Sequence, residues 1–568
     1  MTREELLRIL DFADSNRLMA EKSTRLSTVD PRWNIISFAI RRHLEGKLIT
    51  VTSAAMAAEV PYGTAMRRIT ELIDEGMLLK RPKSRTGKSF SLHPTRQLIE
   101  EYERFAAELK KIVAKTFGFS DGEGQSEDFF FGGYYMASRI LSYPNAMRVG
   151  VGYRRKFRIL GSTDPTFQTL HRLSSTLEEL CGTSLEIINL PLDQLLPEIM
   201  RDAPQRAPSY DLIAVDLPWI GQLAEAGIIE PLTGPMAEAR FNASDFHNAA
   251  LRGSAWQGVQ YGLPIQPTVE LLFCRTDLFA RAGLDLPEST DDLMRAARLL
   301  HRSSFAQAGI VMNFGRGIPV AHSFIQTLAD FGQPAINLRR VGVDFDMTNL
   351  EAENFRPLLN TETAHRAAEF LLELMDYAHR DSLSCTWDKR IAIFAMGQAA
   401  MTYGWSVRAS AIELDSKAEA HGKVGYIAHP HGPGARRVSP IGGFSLAIPA
   451  RLNDARKAAA WKTMEYLTRP ELLKWYVQNG NPSSPRFSTS ADPEVQAASP
   501  LIGVIDGLER HGAVQSWPRP AIPEFSQLLD VLGEEIHALL RRDKPVLAAL
   551  NSAQNRVEQI MVENGRFR

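Results

Sequence analysis

Basic and hydroxyl side chains recur along one face of a predicted helix near residue 65, and such side chains can contact nucleic acid. The outward-facing residues are Tyr62, Thr64, Arg67 and Arg68. Arginine neutralises phosphates, and threonine and arginine also reach base edges in the major groove. Three further cations follow in a turn and could reach phosphates or the minor groove, namely Lys83, Arg85 and Lys88. The pattern predicts a DNA-binding surface.

Two helices joined by a tight turn would position this surface. Asp30 and Pro31 are a typical helix start, and the run Val60–Gly63 is a predicted turn. Beyond the second helix, an apolar strand, a basic tip and a return strand predict a hairpin. Residues 31–94 carry 11 Lys and Arg against 5 Asp and Glu, although the formal net charge of the 568-residue chain is -1. This local positive charge favours an anionic partner.

Residues 30–95 resemble the winged helix-turn-helix domains of the MarR-like regulators. The core of this resemblance is the run from Thr64 to Leu78. The resemblance implies that Thr64 and Arg67 face bases, that the region of Arg85 is the wing, and that the partner is double-stranded DNA. The alternative interpretation is a solvated basic face on a helical domain that binds another protein.

An apolar stripe follows the predicted hairpin at spacings of 4, 3, 4 and 3 residues. Its members are Leu98, Tyr102, Phe105, Leu109 and Ile112. A narrow stripe of this kind suits helix pairing, so a homodimer is expected; the alternative is that the helix packs on its own domain. Residues 1–118 are therefore assigned to a winged helix-turn-helix domain with a dimer helix. Residues 119–154, which contain the polar, glycine-rich run Ser120–Gly133, are assigned to a linker.

From residue 155 onward, predicted strands alternate with helices, which is typical of a parallel α/β sheet. Ligands bind such sheets outside the carboxyl ends of the strands. Asp164, Asp216 and Trp219 all lie at or just after such strand ends. The sequence therefore predicts an α/β fold with a small-molecule crevice at this edge.

Several motifs of this second part occur in a fixed order. They are Tyr210–Ile213, Leu223–Leu232, Tyr261–Pro264, Arg275–Phe279, Phe394–Met401 and Ile441–Pro449. Over residues 157–530 these motifs resemble the family 1 extracellular solute-binding proteins, the sugar receptors of ABC importers. The resemblance implies a two-lobed, periplasmic-binding-protein-like type II fold that closes on its ligand by hinge motion.

The same resemblance assigns residues 155–568 to the ligand domain. Lobe 1 is expected to comprise about 155–266 and 440–485, and lobe 2 about 267–439 and 486–568. The chain is expected to cross between the lobes near Pro264–Pro267 and near Pro430–Pro440. Around Cys274 the sequence departs from the family's usual tyrosine-asparagine-lysine run, which puts contacts with a permease in doubt.

Sugar recognition needs an aromatic face for the apolar side of a ring and polar groups for the buried hydroxyls. By the family pattern, Trp405 is the stacking residue, and Trp219 is a second candidate because it lies at a strand end. The other residues assigned to the ligand are Asp164, Asp216, Gln266, Thr268 and Gly443. Arg316 and Arg519 could pair with an acidic ligand, or could form surface salt bridges. The expected ligand is a sugar, a polyol or a sugar acid.

The sequence carries no recognised signature of catalysis or of metal binding. Its three cysteines, Cys181, Cys274 and Cys385, lie far apart and are expected to be buried, reduced thiols. We therefore expect neither an enzyme nor a cofactor. The first residues include acids where a signal peptide needs positive charge, and no window approaches the length of a membrane span. These observations favour a cytoplasmic protein without a membrane partner.

Together, the two parts predict a cytoplasmic transcriptional regulator whose DNA binding is controlled by a sugar or related polar small molecule. The alternative function is the carbohydrate-binding receptor of an ABC transporter with an unusual N-terminus. A third, weaker hypothesis is a cytoplasmic storage or scaffold protein whose basic face binds another protein.

Overall fold

The computed structural model divides the chain into two compact units, Met1–Arg148 and Val149–Arg568. It describes residues 3–24, 30–45, 47–82, 90–117, 119–120, 129–130, 153 and 155–567. Among these residues, no helix combines the length and the apolar character that a membrane span requires. Most of the predicted linker 119–154 lies outside the described residues.

The N-terminal unit contains five helices and five short strands in its described part. In chain order they are α1 (Arg3–Thr24), α2 (Pro31–Leu44), β1 (Ile49–Thr50), α3 (Val51–Ala57), α4 (Tyr62–Asp74), β2 (Leu78–Pro82), β3 (Phe90–Pro94), α5 (Arg96–Phe117), β4 (Phe119–Ser120) and β5 (Phe129–Phe130). The Asp30 side chain caps α2 by accepting a hydrogen bond from the Arg32 amide at 2.9 Å. Strands β1, β3 and β2 form an antiparallel sheet in that order.

The apolar stripe on α5 packs within its own unit. Leu98 and Tyr102 are buried in the same core as Leu6 of α1, and the Tyr102 hydroxyl donates to the Leu6 carbonyl oxygen at 2.7 Å. Phe105 contacts Trp33 of α2 with ring centres 5.4 Å apart. The first half of the stripe therefore packs on its own domain, which was the alternative to helix pairing in a dimer. Helix α1, which the sequence patterns did not predict, covers this half.

The C-terminal unit is an α/β structure. Its strands are β6 (Phe157–Ser162), β7 (Leu185–Leu190), β8 (Leu212–Asp216), β9 (Ala255–Trp256), β10 (Val259–Gln260), β11 (Gly262–Arg275), β12 (Ala308–Val311), β13 (Arg340–Val341), β14 (Asp344–Phe345), β15 (Ala399–Trp405), β16 (Val424–Ile427), β17 (Ser439–Ala447) and β18 (Val514–Gln515).

The helices of this unit cover both lobes and end in a C-terminal pair. They are α6 (Pro165–Arg172), α7 (Ser174–Cys181), α8 (Leu192–Asp202), α9 (Ile220–Glu225), α10 (Thr233–Glu238), α11 (Asn248–Gly253), α12 (Thr276–Ala282), α13 (Thr290–Leu300), α14 (Ile318–Asp330), α15 (Glu362–Leu374), α16 (Trp387–Ala395), α17 (Ser410–Glu413), α18 (Asp454–Leu467), α19 (Pro470–Gln478), α20 (Phe487–Ser490), α21 (Pro493–Ala498), α22 (Pro500–Arg510), α23 (Phe525–Leu540) and α24 (Val546–Glu563).

Two lobes share one long strand. In lobe 1, β6 pairs in parallel with β7 and β8, and β17 joins β8 to the first half of β11. In lobe 2, the second half of β11 pairs with β15 and β16, and β12 pairs with β15. The partner of β11 changes between Val269, opposite Ile441, and Glu270, opposite Trp405. The lobes therefore meet at this point of β11.

This crossing lies beyond the predicted Pro264–Pro267 segment. The prolines do not end the strand, because a register shift between Pro264 and Gln266 accommodates them within the β11 ladder. The 11-residue stretch between β16 and β17 lies in the second predicted crossing region.

The C-terminal boundary between the lobes also differs from the prediction. Helices α20 and α21 pack on α19, which itself contacts α6 of lobe 1. Val477, Val495 and Ile502 form one buried apolar cluster that joins α19, α21 and α22. The later helices α23 and α24 pack against α14 and α15 of lobe 2. Helices α20 and α21, which the prediction placed in lobe 2, thus pack against a helix that contacts lobe 1. Leu501 and Ile505 of α22 belong to a buried cluster with residues of both lobes.

Candidate functional site

The predicted DNA-binding residues of α4 lie at the surface of the N-terminal unit. Tyr62, Thr64 and Arg67 are exposed and Arg68 is half-buried. Both arginines contact one carboxylate, Glu71, at 3.6 Å from Arg67 and 2.7 Å from Arg68. The three predicted tip cations, Lys83, Arg85 and Lys88, lie outside the described residues.

In the C-terminal unit, a buried arginine joins groups from both lobes. Arg519 follows β18 and is 8% exposed. Its Nη2 lies 3.4 Å from Oδ2 of Asp216, the last residue of β8 in lobe 1. Its Nε donates to Nε2 of His322 on α14 of lobe 2 at 3.1 Å, and its Nη1 donates to the Ile441 carbonyl oxygen at 3.4 Å. The guanidinium therefore bridges the two lobes.

Trp405, the predicted stacking residue, is buried next to Arg519. It ends β15 and is 5% exposed. The Arg519 guanidinium carbon lies 5.0 Å from the centre of the Trp405 ring, within cation–π range. The Trp387 ring, at the start of α16, approaches Trp405 edge-on with centres 6.5 Å apart. Trp405 thus lies at the lobe junction, but its ring already has two partners.

A second polar contact crosses the junction at Asp164. The Gln266 amide donates to Oδ2 of Asp164 at 3.3 Å, and Arg408 of lobe 2 lies 3.8 Å from Oδ1. Arg408 also pairs with Asp388 at 2.8 Å. The side chain of Asp164 is thus held by one group from β11 and one cation from the facing lobe.

Thr268 and Gly443 hold the backbone around this junction. The Thr268 hydroxyl lies 3.2 Å from the Ser406 hydroxyl and accepts from the Val407 amide at 3.1 Å. Gly443 has a φ of +97°, and a Cβ there would lie 1.9 Å from the Gln266 carbonyl oxygen. Only glycine permits this approach of β17 to β11, so Gly443 acts through the backbone.

The junction gathers seven of the nine predicted ligand residues. They are Asp164, Asp216, Gln266, Thr268, Trp405, Gly443 and Arg519. Within the part of the chain that the structure describes, Trp219 and Arg316 make no hydrogen bond or ion pair with them, and Arg316 is exposed. Arg519 also lines a small cavity of about 10 Å³ together with Leu217, Trp256 and Ile441.

Burial sets the protonation of the two groups that contact Arg519. Burial raises the pKa of Asp216, and Arg519 opposes that rise. Burial also lowers the pKa of His322 well below its ordinary value, with Arg519 and Arg390 adding to the shift. His322 is therefore neutral at pH 7. A guanidinium nitrogen can only donate, so Nε2 of His322 is the acceptor and the ring proton is on Nδ1.

An ion pair beneath Trp405 was missed by the sequence patterns. Glu270 and Arg390 are 0% and 1% exposed, and Oε1 of Glu270 accepts from Nη2 of Arg390. Arg390 also donates to Oδ1 of Asn313 at 3.4 Å, and the Ser323 hydroxyl donates to the same oxygen at 2.8 Å. The available signal was one acid inside the apolar run 269–274, because a carboxylate in a buried strand needs a partner.

The described residues offer little for a metal ion. Among them, no group of three or more His, Cys, Asp and Glu side chains is close enough to hold one. Cys181, Cys274 and Cys385 are all buried and unpaired with one another, as expected for reduced thiols. The junction instead presents carboxylates, amides, guanidinium groups and indoles, which suit hydrogen bonding to a polar small molecule.

Comparison with known proteins identifies similar molecules over the C-terminal unit. A sequence model described as "Bacterial extracellular solute-binding protein" matches residues 172–473. A mannitol-binding protein of Pseudomonas aeruginosa is 25% identical over 412 residues, which cover 70% of this chain and 91% of that protein.

Solved structures agree with the two-lobed fold. An ABC transporter solute-binding protein from Agrobacterium radiobacter K84, in complex with ribitol, is 25% identical with a TM-score of 0.64, and the match covers 71% of this chain and 98% of that one. A solute-binding protein from Agrobacterium vitis S4 with bound D-mannitol is 21% identical with a TM-score of 0.61, and the match covers 72% of this chain and 99% of that one. At this identity the similarity supports the fold alone.

These comparisons overturn the predicted transcriptional regulator. The similar proteins are a mannitol-binding protein and a solute-binding protein of an ABC transporter in complex with ribitol, and their names concern polyols and solutes rather than DNA. The prediction of a regulator relied on the basic helix near residue 65, although the similarity to solute-binding proteins covers most of the chain. The alternative, a carbohydrate-binding receptor of the ABC transporter type, is better supported.

Proposed function

Because the chain belongs to the bacterial extracellular solute-binding protein family, we propose that it is a receptor that binds a polyol or sugar between its two lobes. The observation that carries the proposal is the buried polar junction around Trp405, to which both lobes contribute. Burial of hydroxyls on lobe closure requires such hydrogen-bonding groups at that place.

The charges at the junction favour an uncharged ligand. Each of its three cations has a carboxylate of its own: Arg390 pairs with Glu270, Arg519 with Asp216, and Arg408 with Asp164 and Asp388. No excess positive charge remains in this set for a carboxylate or phosphate of the ligand. Among the expected ligands, this balance favours sugars and polyols over sugar acids. The names of the relatives, with mannitol and ribitol, point the same way.

The N-terminal unit has an order of elements that supports a winged-helix architecture. Helices α2, α3 and α4 precede the β2–β3 hairpin, and β1 completes the sheet beside β3. A solution structure of residues 30–95 tests this assignment through the path of the hairpin. The cytoplasmic location and the absence of catalysis stay predictions, and fractionation of cells tests the location.

The direct test of the receptor function is ligand binding by the full chain. A ligand that binds only the folded state stabilises it by about 2.7 kcal/mol when present at 100 times its Kd. Ribitol and D-mannitol are therefore expected to raise the unfolding temperature in proportion to the logarithm of their concentration. Failure of every polyol and sugar tested to raise it would count against the receptor.

A further inference from the structure

Several buried side chains in lobe 2 carry a polar atom without a hydrogen-bond partner, including Arg390 through its Nε. Four others lie beside Arg390 or on α14. They are Glu270 and Asn313, both 0% exposed, and His322 and Gln326, both 4% exposed. The unpartnered atoms are Oε2 of Glu270, Nδ2 of Asn313, Nδ1 of His322 and Nε2 of Gln326. None of these residues was assigned to the ligand by the sequence.

These side chains form one cluster rather than scattered defects. Arg390 contacts Glu270 and Asn313, and the Ser323 hydroxyl joins Asn313 to α14. His322, Ser323 and Gln326 lie within about one turn of α14. Glu270 is also the direct partner of Trp405 between β11 and β15. The cluster therefore adjoins the junction where the lobes meet.

The Trp387 ring connects this cluster to the bridging arginine. Its centre lies 5.3 Å from that of His322 and 5.6 Å from the Arg390 guanidinium carbon. The same ring contacts Trp405, on which Arg519 lies, and Arg519 bonds His322. Each of Trp387, Trp405, Arg519 and His322 therefore contacts two of the others. The cluster and the predicted ligand residues thus form one site.

The unpartnered atoms are a mixture of donors and acceptors. Since a guanidinium only donates, the bond from Arg390 fixes Oδ1 as the oxygen of Asn313 and leaves its amide nitrogen as a free donor. Nδ1 of His322 carries the ring proton and is a second donor. Nε2 of Gln326 is a third, and Oε2 of Glu270 is an acceptor.

A hydroxyl group matches this mixture because it both donates and accepts. A carboxylate or phosphate can only accept, and it would meet the negative charge of Glu270. Each unpartnered buried group costs about 1 to 3 kcal/mol, so a ligand that satisfies several of them gains correspondingly. The chemistry of the cluster selects neutral polyhydroxyl compounds.

The state of Trp405 further narrows the ligand class. A pyranose ring binds an indole face to face, but the Trp405 ring is covered by Arg519 and approached by Trp387. An open-chain polyol needs no flat aromatic face, and its successive hydroxyls can reach donors and acceptors along a row. The covered indole and the mixed row of polar groups thus favour the same compounds.

We propose that Glu270, Asn313, His322 and Gln326 form a hydroxyl-binding subsite of lobe 2 that selects uncharged, open-chain polyols. This inference rests on the proposed receptor function and assigns it a ligand class. The lobes open, the polyol enters beside Arg519, and its hydroxyls take up the unpartnered atoms when the lobes close.

The test measures binding of ribitol and D-mannitol to the full chain by calorimetry, with D-glucose and D-gluconate as the cyclic and anionic comparisons. The variants are Glu270→Gln, Asn313→Ala and Gln326→Met, and the last keeps the side-chain shape while removing the amide. Glu509→Gln is the matched control, because Glu509 is also a buried glutamate with an unpartnered oxygen but lies on α22. Unfolding temperatures are recorded for every variant.

We expect the polyols to bind more tightly than glucose or gluconate. Each of the three subsite variants weakens polyol binding about tenfold or more, and the control leaves it unchanged. Gln326→Met provides the answer if the other two fail to fold. Lower unfolding temperatures with unchanged polyol affinity in the folded variants would show a structural cluster and overturn the subsite. Tighter binding of glucose or gluconate than of either polyol would overturn the ligand class. Absence of binding by the unmodified chain would instead remove the receptor function itself.

Discussion

The guanidinium carbon of Arg519 lies 5.0 Å from the centre of the Trp405 ring, on the residue that the family pattern assigns to sugar stacking. Arg519 also bonds Asp216 of lobe 1 and His322 of lobe 2. One side chain therefore covers the aromatic surface and ties the two lobes together. Ligand selection and lobe closure depend on the same guanidinium.

The first prediction concerns Arg519→Met, which keeps the length of the side chain and removes its charge. The Trp405 ring loses its cation, so the affinity for D-glucose relative to D-mannitol should rise about tenfold, equivalent to 1.4 kcal/mol. Calorimetry with both ligands measures the ratio. Arg316→Met is the matched control, because Arg316 is exposed and outside the junction. An unchanged ratio in Arg519→Met would show that the cation does not govern ligand shape.

The second prediction concerns the close approach of β17 to β11. Gly443→Ala places a Cβ 1.9 Å from the Gln266 carbonyl oxygen at a φ of +97°. We expect a loss of about 3 kcal/mol or more in the free energy of unfolding, since both the contact and the backbone conformation are unfavourable. Gly434→Ala is the control: its φ is +73° with no neighbour within 4 Å, so it should cost only about 1 kcal/mol. Urea unfolding compares the two, and equal losses would contradict the predicted clash.

The third prediction concerns pH and Glu509. Burial raises the pKa of this carboxyl to about 7 from its ordinary value of 4.5. The folded chain therefore holds a proton that the unfolded chain releases between these values, and stability falls as the pH rises from about 4.5 to about 7. Glu509→Gln removes this loss. The variant should be more stable than the unmodified chain at pH 8, by on the order of 3 kcal/mol, and equally stable near pH 4.

Parallel unfolding curves from pH 4 to pH 8 give this difference directly. Other titrating groups, such as Asp330 with its pKa raised to about 6 by burial, are common to both proteins and cancel. A constant difference across the pH range would show that Glu509 does not take up the proton.

The fourth prediction concerns the docking of α1 on α5. Tyr102→Phe removes the hydroxyl that bonds the Leu6 carbonyl oxygen at 2.7 Å and should cost about 1 kcal/mol. Hydrogen exchange at the amides of α1 should become faster. Tyr62→Phe serves as the control, because Tyr62 is 60% exposed. Equal exchange in both variants would contradict a stabilising role for this bond.

Local sequence patterns predicted the helices and strands that are marked by their own residues, such as a capping residue or an apolar run. Asp30 and Pro31 began a helix as expected, and the strand ending at Asp216 was identified from its apolar run. The pairing of Glu270 with Arg390, 120 positions later, could not be read locally because only the folded β11 and α16 bring them together. The covering of Trp405 by Arg519 has the same cause, since 114 positions separate them in the chain.

Other misses came from weighing correct local signals wrongly. The stripe from Leu98 looked suited to a dimer, but its first half meets α1, whose weak amphipathic pattern gave little warning. The basic face of α4 is exposed as predicted, yet exposure of Arg67 is equally compatible with its pairing to Glu71. A surface pattern therefore did not determine the function.

Polyol binding is measured most directly by calorimetry of the chain with ribitol, D-mannitol and D-gluconate under identical conditions. The expected result is saturable binding of one molecule of neutral polyol per chain, with weaker or no binding of the anion. Tight binding of gluconate with no binding of either polyol would contradict it, since the paired charges around Glu270 and Asp216 leave no place for an anion.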